Sequence, residues 1–211
     1  MPQRTVRVHR PPRGVAPSAT QDALAARFAA VRAEQGVPTA FPPEVLAEAA
    51  HVATAPLSSP DRDATDVPFL TLDPVGSMDL DQALHIARDG EGYRVRYAIT
   101  HLPSFVAPDG AVAGEAWTRG ETIYAPDGRT PLHPSELSEG AASLLPGVER
   151  AAYIWDHWLG GDGSVSRTDL YVARIVSRDR MDNTPFHQAA NSAPDDGRLR
   201  RLKGVGGRRT P

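Results

Sequence analysis

The apolar positions of this chain follow two different periods. Between Thr20 and Gln35, Leu24, Phe28 and Val31 recur at i, i+4 and i+7, the spacing of one helix face, and Gly36 follows as a stop. Pro42-Pro43 opens a second helical run through Val45, Leu46, Ala49 and Ala50. Before both, Thr5–His9 alternates briefly and reads as a short strand that ends at Pro11-Pro12. From Pro68 onward the period becomes two. Ala83–Ala87 and Tyr93–Ile99 flank Asp89-Gly90-Glu91-Gly92, which predicts a hairpin. Tyr93, Val95, Tyr97 and Ile99 share one face of its second strand, and Arg94, Arg96 and Ala98 share the other. A helix is expected over 110–119, and an extended Thr122–Tyr124 leads into the turn Pro126-Asp127-Gly128-Arg129. A second hairpin joins Ala152–Leu159 to Val165–Val176 through Gly160–Ser164, with Trp155 and Trp158 expected in the core. After Arg178 neither period persists.

Antiparallel strands with separate helices predict an α+β fold. The expected organisation is a small, mostly helical N-terminal unit over 1–53 with a basic arm. A linker follows over 54–67, rich in Pro, Ser and Asp. Next comes a domain of antiparallel strands and flanking helices over 68–180, then a disordered basic tail over 181–211. With 211 residues, 40% of them hydrophobic, the chain can bury a substantial core.

The net charge of −3 announces no nucleic-acid partner, but its distribution does more. Residues 1–20 carry Arg4, Arg7, Arg10 and Arg13 without an acid, and Arg198–Arg209 is likewise basic and acid-free. Such arms either bind phosphates through counterion release or stay solvated. The absence of cysteine excludes disulfides and thiolate-bound zinc. No apolar run is long enough to span a membrane, and the start lacks the apolar core of a secretory signal. The expectation is therefore a cytoplasmic chain with no membrane association, and no protein partner can be inferred.

The candidate chemistry begins with Asp73, Asp79 and Asp81, within Thr71–Gln82. A strand-like run delivers the first carboxylate to a turn marked by Pro74 and Gly76; the other two follow as an alternating pair. Like charges so close raise one another's pKa, and a hard divalent cation held by oxygen ligands would relieve them. The competing reading makes Asp73 and Asp79 solvated turn formers. Tyr124 either projects from a strand end, where aromatics stack nucleic-acid bases, or is buried with a partner for its hydroxyl. His85, His101 and His133 lack metal-ligand spacing and read as structural. No nucleophile elbow and no phosphate-binding glycine loop is present.

Phe69-Leu-Thr-Leu-Asp73, five residues, then Asp79-Leu-Asp81-Gln82-Ala83 resembles the signature of the ribonuclease II/ribonuclease R (RNB) exoribonucleases. Val95–Ile99, Arg119-Gly120, Tyr124-Ala-Pro-Asp127, Leu132–Ser138 and Ala142–Pro146 resemble later blocks of that family, in order. The resemblance covers about residues 66–180. It implies 3′→5′ hydrolysis of single-stranded RNA to nucleoside 5′-monophosphates with Mg²⁺, or alternatively Mn²⁺. By the same resemblance Asp73, Asp79 and Asp81 match three of four metal-site aspartates, with Asp79 and Asp81 the most sensitive catalytically, and Tyr124 matches the tyrosine that stacks on RNA. Gln82 stands where the family has a fourth aspartate and could act as a neutral oxygen ligand. The family's catalytic domain continues well past residue 180, so the resemblance implies a truncated chain or a fragment. The alternative is a catalytically silent RNA- or metal-binding remnant.

Overall fold

Helix signals, turns and alternating runs become defined elements in the computed structural model, which describes residues 19–56 and 60–182, with side chains over 22–56 and 60–181. The Thr5–His9 strand and the 183–211 part of the expected tail lie outside the described residues. In chain order the elements are α1 (Ala19–Glu34), α2 (Pro43–Ala53), β1 (Arg62–Asp63), β2 (Phe69–Asp73), β3 (Gln82–Asp89) and β4 (Gly92–Thr100). There follow α3 (Ala111–Arg119), β5 (Ile123–Ala125), β6 (Gly128–Thr130), β7 (Glu149–Leu159) and β8 (Val165–Asp182). The α+β class holds: helices accompany a mixed, mostly antiparallel sheet. Among the described residues no helix is long and apolar enough to cross a membrane.

The chain divides into two compact units, and the first combines residues 1–49 with 108–134. Gly36 stops α1 in the left-handed region at φ 65°, and Val37 closes the turn by donating to the Arg32 carbonyl. The expected apolar stripe of α1 stays largely open, with Leu24 and Val31 exposed. The start of α3 is capped from a distance: Glu48 accepts from the Ala111 N–H, and a Cβ on Gly110 would collide with that carboxylate. Arg119, at the end of α3, is buried. It donates to Glu115 at 2.8 Å, to the Ala40 carbonyl at 2.6 Å and to the Pro131 carbonyl at 3.2 Å, with its guanidinium over the Phe41 ring.

The second unit, residues 50–107 and 135–211, contains the main sheet. The expected β3–β4 hairpin forms with Gln82 opposite Ile99 and Asp89 opposite Gly92, and β7–β8 forms the second hairpin. β4 also pairs antiparallel with β7. Two pairings are parallel, contrary to the antiparallel pattern expected: β2 and β1 both lie along β8, with Phe69 opposite Ser177 and Arg62 opposite Ala173. Because β8 also pairs with β7, the pairings β8-β2-β3-β4-β7-β8 close on themselves. Phe69, Ala83, Ala98, Ala152, Ile154, Ala173 and Ile175 meet in one core. Five strands enclose little space, so alanine fills several of these positions.

Strand alternation and position along β7 explain why the tryptophans are not where the pattern placed them: Trp155 is on the face opposite Ile154, and Trp158 lies near the strand end. Trp155 and Trp158 are half-buried, while Ala152, Ile154 and Asp156 of the same strand are fully buried. Trp158 lies between the guanidinium groups of Arg94 and Arg167, at 4.6 and 4.4 Å from its ring. Asp156 accepts from Arg94 at 2.8 and 2.6 Å, from Arg96 at 3.4 Å and from the Tyr171 hydroxyl at 3.0 Å. Burial alone would push its carboxyl up, but the Arg94 and Tyr171 bonds and the charges of Arg94 and Arg96 outweigh this and hold it below its usual value.

Candidate functional site

The aspartate segment is positioned by the residue between its last two acids. In the irregular segment between β2 and β3 Leu80 is fully buried, while Asp79 on one side of it is half-buried and Asp81 on the other is exposed. Ser143, also fully buried, grips this segment twice. Its hydroxyl oxygen accepts from the Leu80 N–H at 3.0 Å, and its hydroxyl donates to the Met78 carbonyl at 2.6 Å. The Leu144 N–H adds a bond to the Leu80 carbonyl, and the Thr100 N–H one to the Asp81 carbonyl. Arg150 holds the Ser143 and Gly140 carbonyls from behind, and Arg180 on β8 donates to the Ser77 carbonyl at 2.8 Å. Asp73 itself ends β2, beyond which the chain turns at Pro74–Ser77.

The electrostatics of Asp73 and Asp81 are set first by desolvation. Burial raises the Asp73 pKa, the charges of Asp81 and Asp79 raise it further, and Arg180 opposes them only in part. Asp81 is open to solvent as a residue, yet desolvation of its carboxyl raises its pKa, a bond to its own backbone opposes the rise, and Asp79 adds to it. One Asp73 oxygen, Oδ2, is buried without a hydrogen-bond partner, as is the hydroxyl of Thr71 two residues earlier on the same face of β2. Among the described residues no three acidic, histidine or cysteine side chains come together in a group that could hold a metal ion, so the structure does not bring Asp73, Asp79 and Asp81 together as a ligand set. The donor chemistry nonetheless fits a hard cation: all three acids offer oxygen, and the buried Asp73 Oδ2 lacks a hydrogen-bond partner.

Gln82 opens β3, and its side-chain carbonyl accepts a hydrogen bond from the Tyr97 hydroxyl. A carbonyl oxygen has a second lone pair, so this bond occupies half of its capacity. Tyr97 lies close enough to Asp81 for that charge to add to the effect of burial in raising its pKa.

Tyr124 belongs to the first unit and is 73% exposed on the β5–β6 hairpin. The reading of a buried tyrosine with a partnered hydroxyl is therefore wrong: the three-residue strand has too little sheet around it to cover the ring. The histidines take structural places. His101 packs on Tyr153 and shares a 2.7 Å hydrogen bond with Ser104, and burial lowers the pKa of both His101 and His133. His85 lies edge-on to Phe69. Sequence reasoning missed Ser143, although it lies within the Ala142–Pro146 block, and it missed Arg180 and Tyr97, for which no local signal exists.

The RNB domain family matches residues 61–201. Ribonuclease R of Acidithiobacillus ferrooxidans is 37% identical over 118 residues, covering 54% of this chain and 27% of the relative. Ribonuclease R of Vibrio cholerae is 30% identical over 163 residues, covering 75% and 20%. Mycoplasma genitalium RNase R, in complex with ribose-methylated single-stranded RNA, superposes with a TM-score of 0.77 at 22% identity, over 84% of this chain and 29% of that one. Yeast Ssd1, a pseudonuclease, superposes with a TM-score of 0.62 at 16% identity, over 70% and 18%. The chain thus spans 20% to 27% of the length of these curated relatives.

Proposed function

This chain belongs to the RNB family of exoribonucleases, and we propose that it carries the metal-binding and RNA-stacking residues of a 3′→5′ enzyme. The substrate is single-stranded RNA, shortened to nucleoside 5′-monophosphates, and the compartment is the cytoplasm. The observation that carries this reading is the buried Asp73 oxygen without a hydrogen-bond partner, in a carboxyl whose pKa is raised by burial and by the charges of Asp81 and Asp79, close to an Asp81 carboxyl raised chiefly by desolvation. Asp73, Asp79 and Asp81 hold Mg²⁺ or Mn²⁺ through oxygen, with Gln82 as a neutral fourth donor. A bound divalent ion supplies a Lewis acid for the scissile phosphate and lowers the pKa of an attacking water.

The chain's own residues do the rest. Leu80 and Ser143 fix the acidic segment before any ligand arrives, so less ordering is left for binding. The exposed Tyr124 ring offers a face for one base, a contact that contributes about 1–3 kcal/mol. Positioning of this kind lowers the barrier without an acid or base of its own.

The test uses single-stranded RNA labelled at its 5′ end, incubated with the chain and Mg²⁺. Progressive shortening is expected, and Asp81→Asn should abolish it; shortening that survives this substitution would remove the site from its assigned role. One observation favours the silent alternative: Gln82 replaces a carboxylate and is already engaged by Tyr97. A mobility shift without shortening supports that alternative.

A further inference from the structure

Two residues before Asp73, β2 carries a fully buried polar side chain, Thr71. Successive strand residues point to opposite faces, so Phe69, Thr71 and Asp73 share one. Phe69 belongs to the core enclosed by the strands, and Thr71 therefore points inward as well. A hydroxyl in such a place is costly unless it is bonded, because it has given up its water. Yet Thr71 Oγ1 has no hydrogen-bond partner, and Asp73 Oδ2 on the same face has none either.

Two orphaned oxygens side by side point to one shared ligand. Same-face neighbours of a strand stand about 6.6 Å apart, twice the rise per residue. One water molecule fits between their side-chain oxygens, with hydrogen bonds of about 2.7–3.0 Å. Valine has the shape of threonine and would occupy this position without the polar cost, so packing alone does not account for the hydroxyl. The three aspartates do not by themselves make a ligand set. A hard cation at Asp73 must complete its shell with other oxygens, and Mg²⁺ does so by retaining several waters. Such a water carries two protons to donate, and a hydroxyl oxygen beside it can accept one.

We infer that Thr71 is a positioning residue for the divalent cation: its hydroxyl oxygen accepts a hydrogen bond from a water that the cation carries, while Asp73 contacts the cation itself. This rests on the metal site proposed above and adds a neutral anchor to it. Both orphaned oxygens gain a partner in one event, and only when the cation is bound. Without the cation the hydroxyl adds nothing to stability and keeps its desolvation cost.

The test compares Thr71→Val and Thr71→Ser in the full chain by two readouts, Mg²⁺ affinity from isothermal titration calorimetry and Tm in EDTA. Thr71→Val keeps the shape and removes the oxygen. It should bind Mg²⁺ about tenfold more weakly, as expected when a group that orients a metal's ligands is lost. In EDTA it should nonetheless raise Tm by about 2–4 °C, because a buried orphan hydroxyl is gone. Thr71→Ser keeps the oxygen and loses a methyl group. It should lower Tm in EDTA yet hold Mg²⁺ within about twofold of the wild type. Affinity and stability thus separate in both variants, whereas a hydroxyl with a purely structural role would move them together. If Thr71→Val binds Mg²⁺ as tightly as the wild type, the anchor is wrong and the proposed function stands. If Thr71→Val is less stable than the wild type in EDTA, the hydroxyl already has a partner without the cation, and the inference fails. Binding weakened equally in Thr71→Ser and Thr71→Val also overturns it. A wild-type chain that binds no Mg²⁺ overturns both the anchor and the metal site.

Discussion

Three carboxylates and one serine hydroxyl show how the site is made at the scale of residues. The acids are legible as spacing, but the group that aims them is not. Ser143 lies far from them in sequence, and its two bonds to the 78–80 segment exist only once the chain has folded. Ser143→Ala strips both bonds and strands the buried Leu80 N–H, which costs about 1–3 kcal/mol. Urea denaturation should show that loss, and isothermal titration should show weaker Mg²⁺ binding because the acidic segment loosens.

The raised pKa values of Asp73 and Asp81 give a second prediction. A carboxyl whose folded pKa exceeds its unfolded value favours folding while protonated. That contribution is lost as pH rises from the ordinary carboxylate range through the raised values. A divalent ion competes with the same protons, so the Mg²⁺-induced rise in Tm should be small near pH 4 and largest at neutral pH. Thermal scans with Mg²⁺ and with EDTA across that interval check this; a Mg²⁺ effect that does not vary with pH would remove these carboxylates from the metal site.

Among elements, β7 is where pattern and structure part. Its alternation is plain in the sequence, yet hydrophobicity alone assigns the tryptophans to the core and says nothing of Asp156. The ring of strands selects by volume. Alanine and isoleucine fit inside, and a charged cluster of Arg94, Arg96, Asp156 and Tyr171 occupies the same face of the sheet. Asp156→Asn should destabilise the fold by about 2–3 kcal/mol. That is less than the 3–5 kcal/mol of a fully buried broken pair, because Arg94 reaches solvent. The depressed Asp156 pKa sets the sign with pH. Its contribution is complete above the ordinary carboxylate pKa of about 3.9 and disappears as pH falls through the lower folded value. Urea midpoints measured from pH 6 down to pH 2 should fall less steeply for Asp156→Asn than for the wild type.

For the whole molecule, the helices α1 to α3, both long hairpins, the α+β class and the spacing of the three aspartates follow from the amino-acid order. Each depends on neighbours a few residues apart: a helical or two-residue period, a proline at a start, a glycine at a stop. The family signature is local in the same way, since Asp73 to Ala83 is one continuous run. Folding in three dimensions decided the rest. β1 and β2 pair in parallel with β8, the strands close into a ring, Ser143 reaches Leu80, and Tyr124 stays exposed on a pinned hairpin. These outcomes bring together residues distant in the chain, and they are chosen by side-chain volume and by the need to satisfy buried polar groups. Periodicity carries no record of either.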